Sequence, residues 1–332
     1  MTALPVRWSD EVDEIMQGDL VVAAAYVTPA GGAVVTGVVT CGAGDREQGT
    51  TGFTTSLGLS RKLEHLIRDP HVSLAYHARE HGRSTSPRFV LAQGAASVDL
   101  QPSRERVEAF LPCAERYLGP TRRGWLWDPV LREYYWERVF VDIDVRRVIS
   151  WKDLAAAGTP DVSGAALPAP PDPQRPPSGG TGPRVDVGKA ASASAKMRHL
   201  LLAYRSSDGF PAVVPVELAG HDASGLRLTA APGLLPAGGR RAGILAHSFH
   251  PQVAGLATRT FTGWLDVADD GSAVYAPHTS KGYAAPPMKT MVLLFNGLYA
   301  KWGFRQAMRH GALERLRQLD LERAAPAGAS VA

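Results

Sequence analysis

The most informative segment runs from Phe53 to Tyr76 and reads FTTSLGLSRKLEHLIRDPHVSLAY. Its β-type run ends in three hydroxyl side chains, which are Thr54, Thr55 and Ser56. A turn at Gly58 follows, and Ser60 can cap a helix whose first turn carries Arg61 and Lys62. A helix N-terminus has unpaired N–H groups that can bind an anion. With two cations beside it, the start of this helix is a candidate binding site for a phosphate dianion.

The residues after this turn complete a recognisable order of elements. The helix ends before Asp69-Pro70, because proline disfavours helical geometry in the residue that precedes it. A second strand, His71–Tyr76, comes next. An Arg-Lys pair in a first helical turn is usually only exposed to solvent. The order of strand, turn, helix, proline and strand around this pair favours a binding site here.

This order resembles the FMN-binding split barrels of the pyridoxamine 5'-phosphate oxidase family. Their pattern is an aromatic strand ending in Thr, a Gly turn, Ser-Arg-Lys, a helix, an Asn-Pro or Asp-Pro break and an apolar strand. The resemblance implies that Thr54 and Thr55 contact flavin and that Arg61 and Lys62 grip the FMN phosphate. As hydroxyl donors, Ser56 and Ser60 are expected to join this cofactor-binding set. The match extends more loosely from about Trp8 to Trp151.

Two departures from the family limit what the resemblance implies. The upstream strand Val34–Thr40 carries no cation, whereas the family often has Arg and Lys there. The Arg-rich C-terminal segment that holds pyridoxal phosphate in the true oxidase also has no counterpart. The wider superfamily includes deazaflavin (F420) enzymes and haem-handling members. We therefore expect FMN as the cofactor, with F420 or haem as alternatives.

The chain shows signs of an internal repeat. Thr260–Val267 mirrors the strand Phe89–Val98, while a shortened connection, Gly238–Arg241, replaces Ser60-Arg61-Lys62. Residues 155–194 are rich in Pro, Gly and Ala, as in a mobile linker. We predict a mainly β fold of two tandem split β-barrels with short peripheral helices and a C-terminal helical segment.

This repeat divides the chain into an FMN-binding barrel (1–154), the linker (155–194) and a degenerate second barrel with C-terminal helices (195–332). The family usually dimerises and binds cofactor at the subunit boundary. The resemblance therefore implies a pseudo-dimer within one chain, with FMN at the barrel–barrel interface. The sequence leaves open whether this unit pairs again into a homodimer.

Composition excludes several classes of partner. The formal net charge of the 332 residues is only +4 and the basic residues are spread out, which argues against a nucleic-acid partner. No apolar run approaches the roughly 20 residues of a membrane span, so we expect no membrane partner. The first 30 residues lack a signal-peptide pattern, and two cysteines give no disulfide framework. We expect a cytoplasmic protein that acts on a small-molecule substrate.

Candidate catalytic residues lie outside the motif. His77 is in a predicted loop at the rim of the pocket, and its i, i+4 spacing from His81 lacks the order of a zinc motif, so no metal site is predicted. The polar and aromatic run Tyr275–Tyr283, read as a loop, contributes His278 and Lys281. His247 is either a surface loop histidine, an axial haem ligand or an acid near a flavin ring.

The function follows from what is present and what is missing. GxGxxG, Walker and GxSxG motifs are absent, which argues against a Rossmann dehydrogenase, a P-loop NTPase and a serine hydrolase. We predict a flavin-dependent oxidoreductase that transfers hydride to or from a small organic substrate. The alternatives are an F420-dependent reductase, a non-catalytic flavin- or haem-binding module, and an assembly scaffold without a ligand.

Overall fold

The computed structural model describes residues 5–324, which form two β structures with helices packed around them. The first contains β1 (Val21–Val27), β2 (Ala33–Val39), β3 (Gly44–Asp45), β4 (Thr50–Ser56), β5 (His71–Tyr76), β6 (Phe89–Asp99), β7 (Arg138–Trp151) and β8 (Asp161–Gly164). Its helices are α1 (Asp10–Gly18), α2 (Ser60–Arg68), α3 (Arg104–Leu118) and α4 (Asp128–Trp136).

The second structure follows along the chain. It contains α5 (Val187–Ala195), β9 (His199–Arg205), β10 (Pro211–Asp222), β11 (Gly225–Thr229), β12 (Gly238–Ser248), β13 (Ala257–Val267) and β14 (Ala273–Ala284). Two helices, α6 (Lys289–Arg309) and α7 (Ala312–Ala324), complete the described chain. The predicted mainly β class, with two tandem barrels and a C-terminal helical segment, is confirmed.

The ring of strands in the first barrel is held together at β4 by a long pairing with β7 and by a very short pairing with β2. Strand order is β3-β4-β2-β1-β5-β6-β7-β8, and a further pairing of β4 with β7 joins the ends into a ring. On the other side β4 pairs with β2 only at Val39 and Thr54. The apolar side of α2, with Leu63, Leu66 and Ile67, is buried in the core of this barrel.

The second barrel is a complete ring of six strands in the order β10-β11-β14-β13-β12-β9. Its core alternates along each strand, as in Leu226 and Leu228 of β11, because successive strand side chains point to opposite faces. In β14 the register shifts, so that Gly263 pairs with Pro277 and Thr262 with Thr279. His278 is the extra residue of this β-bulge.

Three segments have a different structure from the one predicted. The alternating apolar pattern predicts a strand over Tyr134–Val148, but Tyr134–Trp136 belongs to helix α4, because Leu131 and Tyr135 recur at helical spacing and are both buried. Tyr275–Tyr283 lies in strand β14 rather than in a loop, and Gly238–Arg241 begins strand β12 instead of forming a connection.

The segment 155–194 contains secondary structure that its composition did not indicate. Strand β8 pairs with β7, and Asp186 caps α5, its carboxylate accepting a hydrogen bond from the backbone N–H of Lys189. Gln174 bonds to both barrels, donating to the Gly31 carbonyl (2.8 Å) and accepting from the Arg241 backbone N–H (3.0 Å). The segment therefore lies along both barrels, and the domain boundaries proposed from composition stay a prediction.

The two barrels pack against each other through small side chains. One apolar cluster contains Ala23, Ala25 and Ala33 of the first barrel together with Ala203 and Leu245 of the second. Small residues allow the sheets to approach closely. At Gly243 a Cβ would lie 2.5 Å from the backbone oxygen of Ala33, so the backbones of the barrels are almost in contact.

Replacing Gly243 with valine is expected to destabilise the protein by about 1–3 kcal/mol, because a close-packed interface cannot accommodate the added carbons without shifts. Urea denaturation measures this change. Gly182→Val is the matched control, since a Cβ at Gly182 would meet nothing within 4 Å. Equal denaturation midpoints for the two variants would contradict the close approach of the barrels.

Candidate functional site

The strand–turn–helix motif forms as predicted, with one difference at the helix start. Ser56 Oγ accepts a hydrogen bond from the Gly58 backbone N–H (3.2 Å) and so caps a 3-10 turn, Leu57–Leu59. Helix α2 follows this turn directly, its N-cap is Leu59, and no side chain caps it. Ser60 is therefore the first helical residue, and the prediction that it caps the helix was wrong.

The two cations of the motif lie in different environments. Arg61 is exposed, whereas Lys62 is only 8% exposed and its Nζ lies 5.6 Å from the centre of the Phe53 ring. Burial lowers the pKa of Lys62 from 10.5 to about 8. Within residues 5–324 no hydrogen bond or ion pair involves this ammonium. Lys62 is a buried, unpaired cation, which is a costly arrangement in a folded protein.

The three hydroxyls of β4 divide between the two faces of the strand. Thr55 pairs with Val139 and Phe53 with Val141, both of which belong to the barrel core, so Thr55 lies on the same face as Phe53. Its Oγ1 is buried and has no partner in the described chain. Thr54 lies on the opposite face, where its Oγ1 accepts a hydrogen bond from Arg138 (3.1 Å).

These observations test whether a phosphorylated cofactor would fit. Phosphate oxygens accept hydrogen bonds and carry negative charge, so they suit both an unpaired ammonium and an unpartnered hydroxyl. Lys62 and Thr55 supply one of each close to the uncapped start of α2. The chemistry of the residues present fits the group, although Arg61 and Lys62 do not converge on one point.

A cavity of about 570 Å³ lies beside the motif. Leu57, from the turn after β4, forms part of its wall, and Phe304 and Met308 of α6 form another part. Helix α6 can approach the turn this closely because Gly58 and Gly303 have no side chains. A Cβ added at Gly58 would lie 2.9 Å from the Gly303 Cα. Helix α6 thus packs over the turn and forms one wall of the cavity.

Basic side chains line the same cavity. They are Arg104, Arg132 and Arg138. Trp136 joins them, and the Arg104 guanidinium lies 5.1 Å from the centre of one of its rings. The volume is within the usual range for small-molecule sites, and the lining suits a planar anion. Sequence reasoning missed these arginines, because they are scattered over three elements and no spacing connects them.

A second group of polar residues lies between the barrels. The Nε2 atoms of His77 and His247 are 2.7 Å apart, although the residues are 170 positions apart in the chain. His199 lies against both rings, at centroid distances of 5.2 and 5.3 Å, and Glu80 Oε1 is 2.9 Å from its Nε2. We call His77, His199 and His247, with Glu80, the inter-barrel histidine cluster.

Burial keeps the His77–His247 pair of this cluster neutral. His77 and His247 are both buried, and burial holds the pKa of each well below 6.5, with the neighbouring histidines adding to the effect. In the neutral pair one Nε2 donates to the other. The Nδ1 atoms of both rings are buried and have no partner in the described residues. Nothing in the local sequence connects positions 77 and 247.

The predicted catalytic residues contact different parts of the protein. His77 belongs to the inter-barrel histidine cluster. His278, on its bulge, has Nε2 3.5 Å from the carbonyl oxygen of Thr181, and burial lowers its pKa. Lys281 is exposed on β14, opposite Thr260. No group of three or more His, Cys, Asp or Glu side chains within residues 5–324 is arranged to hold a metal ion.

Comparison with known proteins gives structural matches only. No protein-family model and no curated protein matches the chain. A conserved hypothetical protein of Mycobacterium tuberculosis is 24% identical, with a TM-score of 0.33 over 46% of this chain and 89% of its own. A pyridoxamine 5'-phosphate oxidase-related, FMN binding protein from Nostoc punctiforme is 8% identical, with a TM-score of 0.28 over 60% of this chain and 87% of its own.

A heme binding protein from Mycobacterium smegmatis also matches, with 14% identity and a TM-score of 0.30 over 89% of this chain and 99% of its own. A further match is named as an F420 reductase. At these similarities the matches carry no argument about the activity of this chain. Their names include the pyridoxamine 5'-phosphate oxidase group that Phe53–Tyr76 resembles.

Proposed function

We propose that the chain binds a flavin-type cofactor and acts as an oxidoreductase. One observation carries the proposal, namely the buried, unpaired ammonium of Lys62 in the first turn of α2. A buried charge without a partner costs several kcal/mol unless a ligand neutralises it. A cofactor phosphate would accept hydrogen bonds from Lys62 and from the unpartnered Thr55 hydroxyl, with Ser60 and Arg61 at its solvent side.

The cavity beside the turn would hold the rest of the cofactor or the substrate. Its aromatic wall, Trp136, suits a flat ring, and its arginines suit negative charge on either molecule. When bound, a flavin or deazaflavin would supply hydride transfer. Helix α6 would exclude water, and Arg138, oriented by Thr54, would position polar atoms of the ligand.

We favour FMN over F420 and haem, because the motif Phe53–Tyr76 resembles the pattern of FMN-binding proteins. Haem fits less well, because His247 Nε2 is bonded to His77 and would have to release it before ligating iron. In this proposal the second barrel takes the place of a partner subunit. It packs on β1 and β2, and helix α6, which follows it in the chain, forms part of the cavity wall.

Substituting Lys62 with methionine is expected to weaken FMN binding by about ten- to a hundredfold, because a charge-assisted hydrogen bond contributes about 1.5–3 kcal/mol. Titration of the purified protein with FMN, followed by quenching of flavin fluorescence, measures the affinity. Arg68→Met is the matched control, since Arg68 is an exposed cation in the last turn of the same helix. Arg61→Met is expected to have a smaller effect, because exposure screens its charge.

Two outcomes would count against the proposal. An unchanged FMN affinity in Lys62→Met would move the phosphate away from α2. Wild-type protein that is isolated colourless and binds neither added FMN nor F420 would remove the proposed function altogether.

A further inference from the structure

Helix α6 has a long apolar face that no other described residue covers. Six large side chains on this face are exposed, and so is Met288 just before the helix; the six are Met291, Leu294, Phe295, Leu298, Tyr299 and Trp302. Their exposed fractions run from 38% at Leu294 to 62% at Trp302. From Met291 onward they recur every three or four residues, so they form one continuous stripe on the helix. Contiguous apolar patches of this kind mark interaction surfaces.

The loop between α3 and α4 extends this stripe. Trp125 is 88% exposed, and Leu126 beside it is also exposed. The two ends of the loop are held on α6: the Lys289 ammonium lies next to Gly119, and Lys301 Nζ donates to the Pro129 carbonyl (2.7 Å). The loop therefore runs beside α6, and Trp125 and Leu126 are its exposed apolar side chains. We call the stripe and these two residues the α6 surface.

The charged residues of α6 and of the adjoining loop are all basic, and one exposed acid, Asp128, follows the loop. Helix α6 contains four basic residues, Lys289, Lys301, Arg305 and Arg309, and no Asp or Glu. The adjoining loop adds Arg122 and Arg123 immediately before Trp125. Arg305 and Arg309 are exposed and follow Trp302 at helical spacing, on the same face as the stripe. An apolar, Trp- and Met-rich face is thus bordered by cations.

We infer that the α6 surface docks on a membrane surface that contains anionic lipids. A helix lying in the lipid interface needs an apolar face with aromatic residues and basic residues beside it, which is this composition. Anionic head groups would pair with the cations, because a negatively charged lipid surface attracts basic side chains close to it. Two copies of the face packed together would instead bring their cations near one another, with no acid on either α6 to offset them.

This mode of contact does not require a spanning segment. In residues 5–324 no helix is long and apolar enough to cross a membrane. The sequence-based expectation of no membrane partner considered only such spans, and the inference revises it. It is independent of the proposed cofactor site, because Phe304 and Met308 face the cavity from a different side of α6.

Co-sedimentation of the full chain with lipid vesicles tests the inference. We expect binding to vesicles of phosphatidylcholine mixed with phosphatidylglycerol and not to vesicles of phosphatidylcholine alone. Raising the salt concentration is expected to weaken the binding, because it screens the charges. The variant Leu298→Glu is expected to lose about tenfold or more in affinity, since one leucine contributes about 1.5–3 kcal/mol on burial.

Leu167→Glu is the matched control, because Leu167 is an exposed leucine in segment 155–194, outside the α6 surface. Equal thermal unfolding of both variants and the wild type verifies that Leu298→Glu remains folded. Failure of the wild type to bind the anionic vesicles, or full binding by Leu298→Glu, would overturn the inference. A wild-type dimer that Leu298→Glu converts to a monomer in light scattering would also overturn it, because a second copy would then cover the face.

Discussion

Lowering the pH from 6.5 to about 4.5 is expected to reduce the free energy of unfolding through His77 and His247, by at most about 5 kcal/mol when both rings stay neutral in the folded protein over that range. Each imidazole is neutral in the folded protein because its pKa is held well below 6.5 by burial. In the unfolded chain each would bind a proton below pH 6.5. The unfolded state therefore gains about 1.4 kcal/mol per histidine for every further unit of pH.

The direction follows from the proton balance. Above pH 6.5 the two histidines are neutral in the folded and the unfolded chain and do not change the free energy of unfolding. As the pH falls below 6.5 the unfolded chain binds protons first, so the free energy of unfolding decreases. His81, whose pKa is lowered to about 4, acts in the same direction. Asp19 acts in the opposite direction, because burial raises its pKa to about 7 despite the bond to Arg79, and it binds a proton in the folded protein first.

A double variant separates the pair from these neighbours. His77→Leu combined with His247→Leu removes both titrating groups and leaves His81 and Asp19 unchanged. Replacing both partners of a buried hydrogen bond with apolar groups is often close to neutral. We expect the dependence of unfolding free energy on pH to be shallower by about two protons in this variant. Urea denaturation across this pH range measures the slope.

The exposed His221 provides the control, and His221→Leu should keep the wild-type slope. Parallel pH curves for the wild type and the double variant would show that the two histidines are not buried and neutral. The same experiment examines the barrel interface, because His77 belongs to the first barrel and His247 to the second.

Replacing Lys62 with methionine is expected to stabilise the ligand-free protein by about 3 kcal/mol at neutral pH. The estimate comes from the lowering of the Lys62 pKa from 10.5 to about 8 by burial. Methionine has a similar length and needs no partner, so it fills the same space without a charge.

This stabilisation should depend on pH in a defined way. Below pH 8 the lysine is charged in both the folded and the unfolded chain, and the full cost of burying the charge is present. Between pH 8 and 10.5 the folded protein releases the proton first, and its stability rises with pH. The difference between Lys62→Met and the wild type should therefore be large at about pH 7 and smaller at about pH 10.

Stability and binding are expected to change in opposite directions at this position. Lys62→Met should unfold at a higher urea concentration than the wild type but bind FMN more weakly, whereas Arg68→Met should change neither property. A destabilised Lys62→Met would mean that the ammonium has a partner that compensates its burial. Such a result would remove the main support for the phosphate site.

Local chemistry was sufficient to predict the elements around the motif. Ser9 and Ser103 cap α1 and α3 through their side chains, which is an interaction within one helical turn. Pro70 separates α2 from β5 as predicted. Errors arose where tertiary contacts outweighed local signals. Polar and turn-forming residues in Tyr275–Tyr283 indicate a loop, yet pairing with β13 on one side of β14 and β11 on the other makes the segment a strand.

The candidate site shows the same division. From its own residues the chain specifies the order strand, turn, helix, proline and strand, because capping, glycine turns and apolar periodicity act over a few neighbours. Burial of Lys62, convergence of three arginines under α6 and contact between His77 and His247 depend on how distant segments pack. Side-chain environment is set by neighbours far apart in the chain, and a short motif carries no information about them. The residue types at the site were therefore readable from the sequence, but their charge states and partners were decided by the tertiary structure.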